Sequence, residues 1–327
     1  MNMAGFKESA MPAEGPSPPP AHLRRTAAAQ PEKEITAPRG DAGPILHLGG
    51  KSLSLARPLV MGVVNITPDS FSDGGRFFNP DAALQHARRL LDEGADILDL
   101  GAESTRPGSA RITAEEELRR LLPVLEPLLE ERGGGGRTVL SVDTSSPKVA
   151  EEALRRGVPL INDVRGLRDP DLRDVIGGFK AAALIMHMRG EPETMQDDPR
   201  YGDVVAEVKA HLARQAERAA ASGIREVIID PGIGFGKTLE HNLALIRNLS
   251  DFRELGRPVC LGVSRKAFIG EITGAPDVQD RLEGTIVANA FGLGAGADIL
   301  RVHDVQAAVY TVKMVEALRG PEGEISF

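Results

Sequence analysis

Eight short apolar runs, spaced along the chain by longer mixed stretches, constrain this sequence more than anything else in it. In order they are LVMGVVN, DILDLGAES, TVLSVDTS, PLIND, AALIMHM, EVIIDPG, PVCLGVS and DILRVHD. Each is nearly continuously apolar, which is how strands covered on both faces read. The stretches between them carry helical spacing. Leu118, Leu121, Leu122, Leu125, Leu128 and Leu129 mark one helix face, with Pro123 and Pro127 as kink points. Val204, Val205, Val208, Leu212, Ala216 and Ala219 mark another. Asn79-Pro80, Ser146-Pro147 and Asp169-Pro170 each place a capping side chain before a proline at the first helical position. Thr113 and Glu116 have capping-box spacing, and Gly94, Gly157 and Gly223 fit helix stops. Strand followed by helix, eight times over, predicts an α/β fold: a parallel (β/α)8 TIM barrel, with an open doubly wound sheet as the rival.

The start of the chain does not share this pattern. MPAEGPSPPPAHLRRTAAAQPEKEITAPRG is rich in Pro and Ala and nearly free of large apolar residues, so it buries too little surface to offset the entropy of ordering. Residues 1–43 are expected to be a disordered tail, and 44–327 one barrel domain. The tail has no signal-type apolar run, and its acidic residues weigh against a transit peptide. A formal net charge of -8 weighs against nucleic acid as a partner. The single cysteine, Cys260, excludes an internal disulfide and reads as a packing thiol. No apolar run is long enough to span a bilayer. A cytoplasmic protein without membrane partners is the expectation.

In a barrel of this kind the chemistry sits where the strands end. Nearly every run here ends in a polar or ionisable residue: Asn65; Asp99 with Glu103, Ser104, Thr105 and Arg106; Asp143; Asn162; His187; Asp230; Ser264 with Arg265 and Lys266; Arg301 with His303 and Asp304. Single polar strand ends commonly just cap the next helix, but a near-complete ring converging on one mouth points to a small-molecule site. Arg106, Lys266, Arg301 and His303 supply cations, suited to phosphate oxygens. Asp143, Asn162 and Asp230 supply acids and an amide, suited to a flat heterocycle with several N–H donors. A self-neutralising Asp–Arg network is the bland alternative. His187 is given no role, because a buried strand-end histidine more often packs than reacts.

PGIGFGKT resembles a phosphate-cradling loop, but Pro231 stands where that pattern requires its first glycine. The glycines read instead as a tight turn beside a ligand, with Phe235 as a wall. VVNITPDSFSDGG, from Val63 to Gly75, reads as a strand running into a loop that Gly74 and Gly75 allow to swing.

Eight blocks, in order, resemble the bacterial dihydropteroate synthases: MGVVNITPDSFSDGG, ESTRPG, SVDTS, INDVRG, LIMHMRGEP, DPGIGFGK, GVSRKAFIG and RVHDV. The resemblance runs from about Leu46 to Leu318. It implies a pterin-binding TIM barrel that joins 6-hydroxymethyl-7,8-dihydropterin pyrophosphate to p-aminobenzoate, giving 7,8-dihydropteroate and pyrophosphate on the way to folate. It further implies a sulfonamide target, a requirement for Mg2+ and a homodimer. By that resemblance Asp143, Asn162, Asp230, Lys266, Arg301 and Met186 would meet the pterin. Asn65, Arg106, Arg301 and His303 would hold the diphosphate, with Asn65 near the metal. Thr105, Pro107, Phe235, Ser264, Lys266 and Phe71 would shape the p-aminobenzoate pocket, and Asp69, Ser72 and Asp73 belong to a mobile loop. Asp143, Lys266, Arg301 and Arg106 would carry the catalysis. The chain departs from the family's pattern at Ala102, where a second glycine is common, and at Ile233, where Phe is frequent. Another pterin-barrel enzyme, such as a methyltetrahydrofolate:corrinoid methyltransferase, and a non-catalytic paralogue are the rival readings.

Overall fold

The computed structural model describes residues 44–67, 79–104, 109, 111–132 and 138–319. The expected tail 1–43, the glycine connector Gly133 to Gly136, and Asp69, Phe71, Ser72, Asp73, Thr105, Arg106 and Pro107 lie outside the described residues.

Each of the eight apolar runs forms a strand: β3 (Leu59–Asn65), β4 (Ile97–Gly101), β5 (Val139–Asp143), β6 (Leu160–Asp163), β7 (Ala182–Met186), β8 (Val227–Asp230), β9 (Cys260–Leu261) and β10 (Ile299–Val302). They pair in parallel in the order β8-β7-β6-β5-β4-β3-β10-β9. A parallel bridge between Ile229 and Val259, with Ile229 N–H donating to Pro258 O at 3.0 Å, joins the two ends. The sheet is therefore a barrel and not an open sheet.

Helices α1 (Pro80–Asp92), α2 (Ala114–Arg132), α3 (Pro147–Arg155), α4 (Pro170–Gly178), α5 (Val204–Ala221), α6 (Leu239–Arg247), α7 (Ala267–Thr273), α8 (Leu282–Gly294) and α9 (Val305–Leu318) fall between and after the strands. Asn79, Ser146 and Asp169 cap α1, α3 and α4 through their side chains, each followed by its proline. Gly94, Gly157 and Gly223 follow helices with φ of 100°, 90° and 90°. Helix α2 runs on through Pro123 and Pro127. Pro123 is exposed and Pro127 half-buried, so the carbonyls each proline leaves unbonded lie off the buried face, within reach of water.

Two apolar clusters separate inside from outside. Leu98, Leu100, Leu140, Val142, Ile161, Ala183, Ile185, Ile229, Leu261, Leu300 and Val302 pack with the helices. Leu59, Met61, Ile97, Val139, Leu160, Ala182, Leu184, Ile228, Cys260 and Ile299 form a second cluster in the barrel's interior. Along each strand the two sets alternate, as a period of two demands. The interior cluster also takes in Leu46, Leu48 and Leu55. Leu46 and Leu48 come from, and Leu55 directly follows, a hairpin not anticipated from the runs, β1 (Ile45–Leu48) paired antiparallel with β2 (Lys51–Ser54). Its signal lies in the alternation of ILHL and in Gly49-Gly50, whose φ values of 54° and 82° suit a two-residue turn. The hairpin thus caps the interior at the end where the strands begin.

Among the described residues no helix is long and apolar enough to cross a membrane.

Replacing the fully buried Leu48 by Ala should destabilise the fold by about 2–5 kcal/mol, by lost transfer energy and a residual cavity. Urea unfolding measures this, and KM values should stay at the parent level because Leu48 lies at the far end from the strand termini.

Candidate active site

The same alternation that fills the interior with Leu and Ile places the polar ring. Asp99 follows Ile97 by two residues, Asp143 follows Val139 by four and Asn162 follows Leu160 by two. Asp230 follows Ile228, Arg301 follows Ile299, and Met186 follows Leu184 by the same step of two. Each therefore points inward, closer to the carboxyl mouth than its apolar predecessor. Register aligns them further. Asn65 pairs with Gly101, Gly101 with Asp143 and Asp143 with Asn162, while Met186 pairs with Asp230. Gly101 leaves room here, since a Cβ on it would lie 3.5 Å from the Asp143 Cβ.

Arg301 is the hub of the first group. Its Nε donates to Asp99 Oδ2 at 2.8 Å and its Nη2 to Asp143 Oδ2 at 2.7 Å. Asn162 Nδ2 donates to the same Asp99 oxygen at 2.8 Å. Asp99 is fully buried, and its Oδ1 has no hydrogen-bond partner. One half-buried guanidinium thus faces two buried acids. Burial pulls the Arg301 pKa down, but Asp99 and Asp143 more than offset this, and it stays charged. Burial pushes Asp143 up to about 8, against the pull of Arg301 and with the charge of Asp99 adding to the rise.

The second group sits beside it. Asp230 Oδ1 accepts from Gly232 N–H at 2.6 Å. A Cβ on Gly262 would lie 3.5 Å from Asp230 Oδ2, 3.8 Å from Lys266 Nζ and 3.9 Å from Arg301 Cβ, so the strand approaches these three closely because it has none. Lys266 Nζ donates to the Ile233 carbonyl and stands 4.6 Å from the centre of the Phe235 ring. Burial lowers Lys266 to about 8, with Asp230 opposing, and burial raises Asp230, with Lys266 opposing. Phe235 also packs on a small apolar cluster of Val164, Met186, Met188 and Met195. A third pair, His303 and Ser264, closes the arc: Ser264 Oγ accepts from the His303 backbone N–H at 3.2 Å and lies 3.0 Å from its Nδ1.

Asp143, Asn162, Met186, Asp230, Phe235, Ser264, Lys266, Arg301 and His303 are therefore gathered at one end of the barrel, with Asn65 two strands from Asp143. Arg265 is not part of the gathering. Its φ is 57°, and its guanidinium forms a two-bond pair with Asp304 at 2.8 and 2.6 Å. That turn is what leaves the next residue, Lys266, facing the site. Two residues carry more than their sequence context indicated. Asp99 was visible only as a member of the ring, though its spacing from Ile97 marks it as interior. Lys237, only 3% exposed, looked like part of a phosphate motif. His187 is held neutral: burial, helped by Lys237, lowers it to about 2.

An inward polar layer of acids, an amide and cations at a barrel's carboxyl end is the arrangement of a small-molecule enzyme site. A family model described as pterin binding enzyme matches residues 61–303. The dihydropteroate synthase of Escherichia coli (strain K12) is 41% identical over 274 residues, 83% of this chain and 95% of that one. The Xanthomonas albilineans dihydropteroate synthase with 4-aminobenzoic acid superposes with a TM-score of 0.79 at 44% identity, covering 85% of this chain and 99% of that one. The Thermus thermophilus dihydropteroate synthase in complex with 6HMPPP gives 0.73 at 46% identity, covering 84% and 100%. This chain belongs to the dihydropteroate synthase family of pterin-binding enzymes.

Replacing Asp99 by Asn removes the charge that helps raise Asp143. The Asp143 carboxyl should then titrate lower than in the parent, by carbon-detected NMR of labelled aspartate. An unmoved titration would show that Asp99 does not act on it.

Proposed function

We infer that this chain condenses 6-hydroxymethyl-7,8-dihydropterin pyrophosphate with p-aminobenzoate, giving 7,8-dihydropteroate and pyrophosphate. The observation that carries this reading is the Asp99–Arg301–Asp143 bridge beside the Asp230–Lys266 pair, in a chain of this family. A rival pterin enzyme has less claim, since relatives at 41–46% identity carry the synthase name over most of the chain.

Asp143, Asn162 and Asp230 would accept from the pterin's N–H groups, Lys266 would meet its carbonyl and Met186 its face. Support comes from chemistry: these are buried acceptors on three strand ends around one mouth, with an apolar wall alongside. Arg301 would lie against the ring and the diphosphate, with Asn65, His303 and Arg106 completing the anion site. Phe235, Ser264, Lys266, Thr105, Pro107 and Phe71 would bound the p-aminobenzoate, and Asp69, Ser72 and Asp73 would belong to the loop that closes over both.

The nucleophile is a neutral aryl amine, which needs no strong base. The C–O bond to pyrophosphate breaks ahead of attack, and the amine's lone pair then forms the C–N bond at the pterin's exocyclic methylene. Pyrophosphate leaves with the electron pair, and the amine loses one proton. Charge on the methylene spreads into the pterin, where the carboxylates of Asp143 and Asp99 stabilise it, while the cations steady the departing oxygens. Among the described residues no group of three or more His, Cys, Asp or Glu could hold a metal. The amide oxygen of Asn65 is a hard donor, and Mg2+ characteristically takes most of its ligands from substrate phosphates and water. Asn65 with the diphosphate fits such an ion, which when bound would neutralise the leaving group.

We place the catalytic domain at residues 44–327, with 1–43 outside it, and the enzyme in the cytoplasm. We also propose a homodimer. Exposed Val287 and Phe291 on α8, and exposed Tyr310, Met314 and Leu318 on α9, recur at four-residue spacing on two neighbouring helices. Met314→Glu should shift sedimentation from dimer to monomer; a parent already monomeric at micromolar concentration removes the proposal.

With Mg2+ and the dihydropterin pyrophosphate, the purified protein should release pyrophosphate only when p-aminobenzoate is added, with dihydropteroate confirmed by mass. Arg301→Ala should weaken binding of the pterin pyrophosphate, and Asp143→Asn should lower kcat by about a hundredfold. No turnover with tight pterin binding would instead indicate a non-catalytic paralogue.

A further inference from the structure

The glycine loop after β8 is tied down in an unusual way. Five successive carbonyls, from Gly232 to Gly236, each accept a hydrogen bond from a side chain. Lys237 Nζ donates to Gly232 O at 2.8 Å and to Phe235 O at 3.0 Å. Lys266 Nζ donates to Ile233 O. Gln196 Nε2 donates to Gly234 O at 2.6 Å, and Tyr201 Oη to Gly236 O at 2.9 Å. Of these donors Lys237 grips the loop at two points, and it is buried beneath it, 3.0 Å from His187 Nδ1. The glycines make the fold-back achievable. Gly232 and Gly236 have φ of 68° and 62°, and a Cβ on either would collide with the backbone carbonyls of His187 and Arg189.

We propose that Lys237 is a positioning residue for the aryl-amine pocket. Its amine closes the loop into a ring whose outward features are the Phe235 side chain and the Ile233 carbonyl. Those two features contact Lys266, one through the ring face and one through a hydrogen bond. Phe235 is thereby set between Lys266 and the methionine cluster. Among the pterin-facing residues Asp143 and Asn162 are held by strand pairing away from the loop, and Asp230 is held by pairing with Met186 as well as by its one bond from Gly232 N–H. His187 serves as the buried partner of the amine and takes no part in the reaction. The inference rests on the proposed synthase activity.

Lys237→Met keeps the length and apolar stem but leaves the Gly232 and Phe235 carbonyls without that donor. The KM for p-aminobenzoate should rise about tenfold, with the KM for the pterin pyrophosphate within about twofold of the parent. Equal rises in both KM values, or a loss of kcat with both unchanged, overturns the proposal. Should K237M not fold by circular dichroism, K237R, which retains N–H donors at that depth, goes through the same titrations. It should show the same one-sided change in smaller measure. If neither variant folds, Lys237 serves stability alone and the proposal fails. A parent that releases no pyrophosphate would refute the synthase reading itself, which distinguishes the two failures.

Discussion

One half-buried guanidinium, Arg301, spans the upper interior of the barrel and joins β10 to β4 and β5. Its two hydrogen bonds to Asp99 and Asp143, at 2.8 and 2.7 Å, have the usual length of charge-assisted bonds. Breaking such a bridge is strongly unfavourable, because it leaves a carboxylate uncompensated in a low dielectric. The arrangement still carries an imbalance, with two acids and one cation. A network built for stability alone would be expected to neutralise itself; this one leaves Asp143 raised and an oxygen of Asp99 unpartnered. On the proposed reading the raised acid has a use, since positive charge developing on the pterin methylene favours its ionisation and is stabilised by it.

The layer beneath explains why the imbalance can persist. Interior Leu, Ile, Val and Met residues and the three leucines of the hairpin region fill the lower barrel. Water is thereby kept from reaching the acids from below, and the polar layer is wetted only through its mouth. Strand pairing then fixes each acid in a register that side-chain motion cannot alter. The polar layer is thus a consequence of a period of two applied along the strands, with the residue type switching from apolar to polar near the ends of β3, β4, β5, β6, β8 and β10.

Much of this was legible in the sequence, for identifiable reasons. A strand buried on both faces has few choices of residue, so LVMGVVN and AALIMHM declared themselves. Asn79-Pro80 and Ser146-Pro147 announced helix starts because a cap and a fixed φ are local physics. The β1–β2 hairpin was missed because only one of its faces is buried, and its short alternating strands lack the dense apolar signal of the others. Asp99 could be placed at a strand end, but its partnership with Arg301 joins residues some two hundred positions apart, and no local pattern encodes that. Arg265 and Lys266 are neighbours of the same charge. Only the left-handed backbone at Arg265 sends one to Asp304 and the other to the site.

The loop from Gly232 to Gly236 shows how similar composition can serve opposite ends. A phosphate-cradling loop aims its N–H groups and its lysine at an anion. Here the lysine turns back onto the loop's own carbonyls, so the donor that would have met a phosphate is consumed internally. What the loop then offers its surroundings is an aromatic face and a carbonyl, both already engaged with Lys266. Such a surface suits a neutral ring and not a diphosphate. Among the described strand ends, Arg301 on β10 and the imidazole of His303 just after it are the groups left for an anion. If the proposed substrates bind as inferred, this division orients them: the diphosphate is drawn to β10 and the aryl amine to the glycine loop. The methylene that links pterin to leaving group is then left between them, above the Asp143 carboxyl.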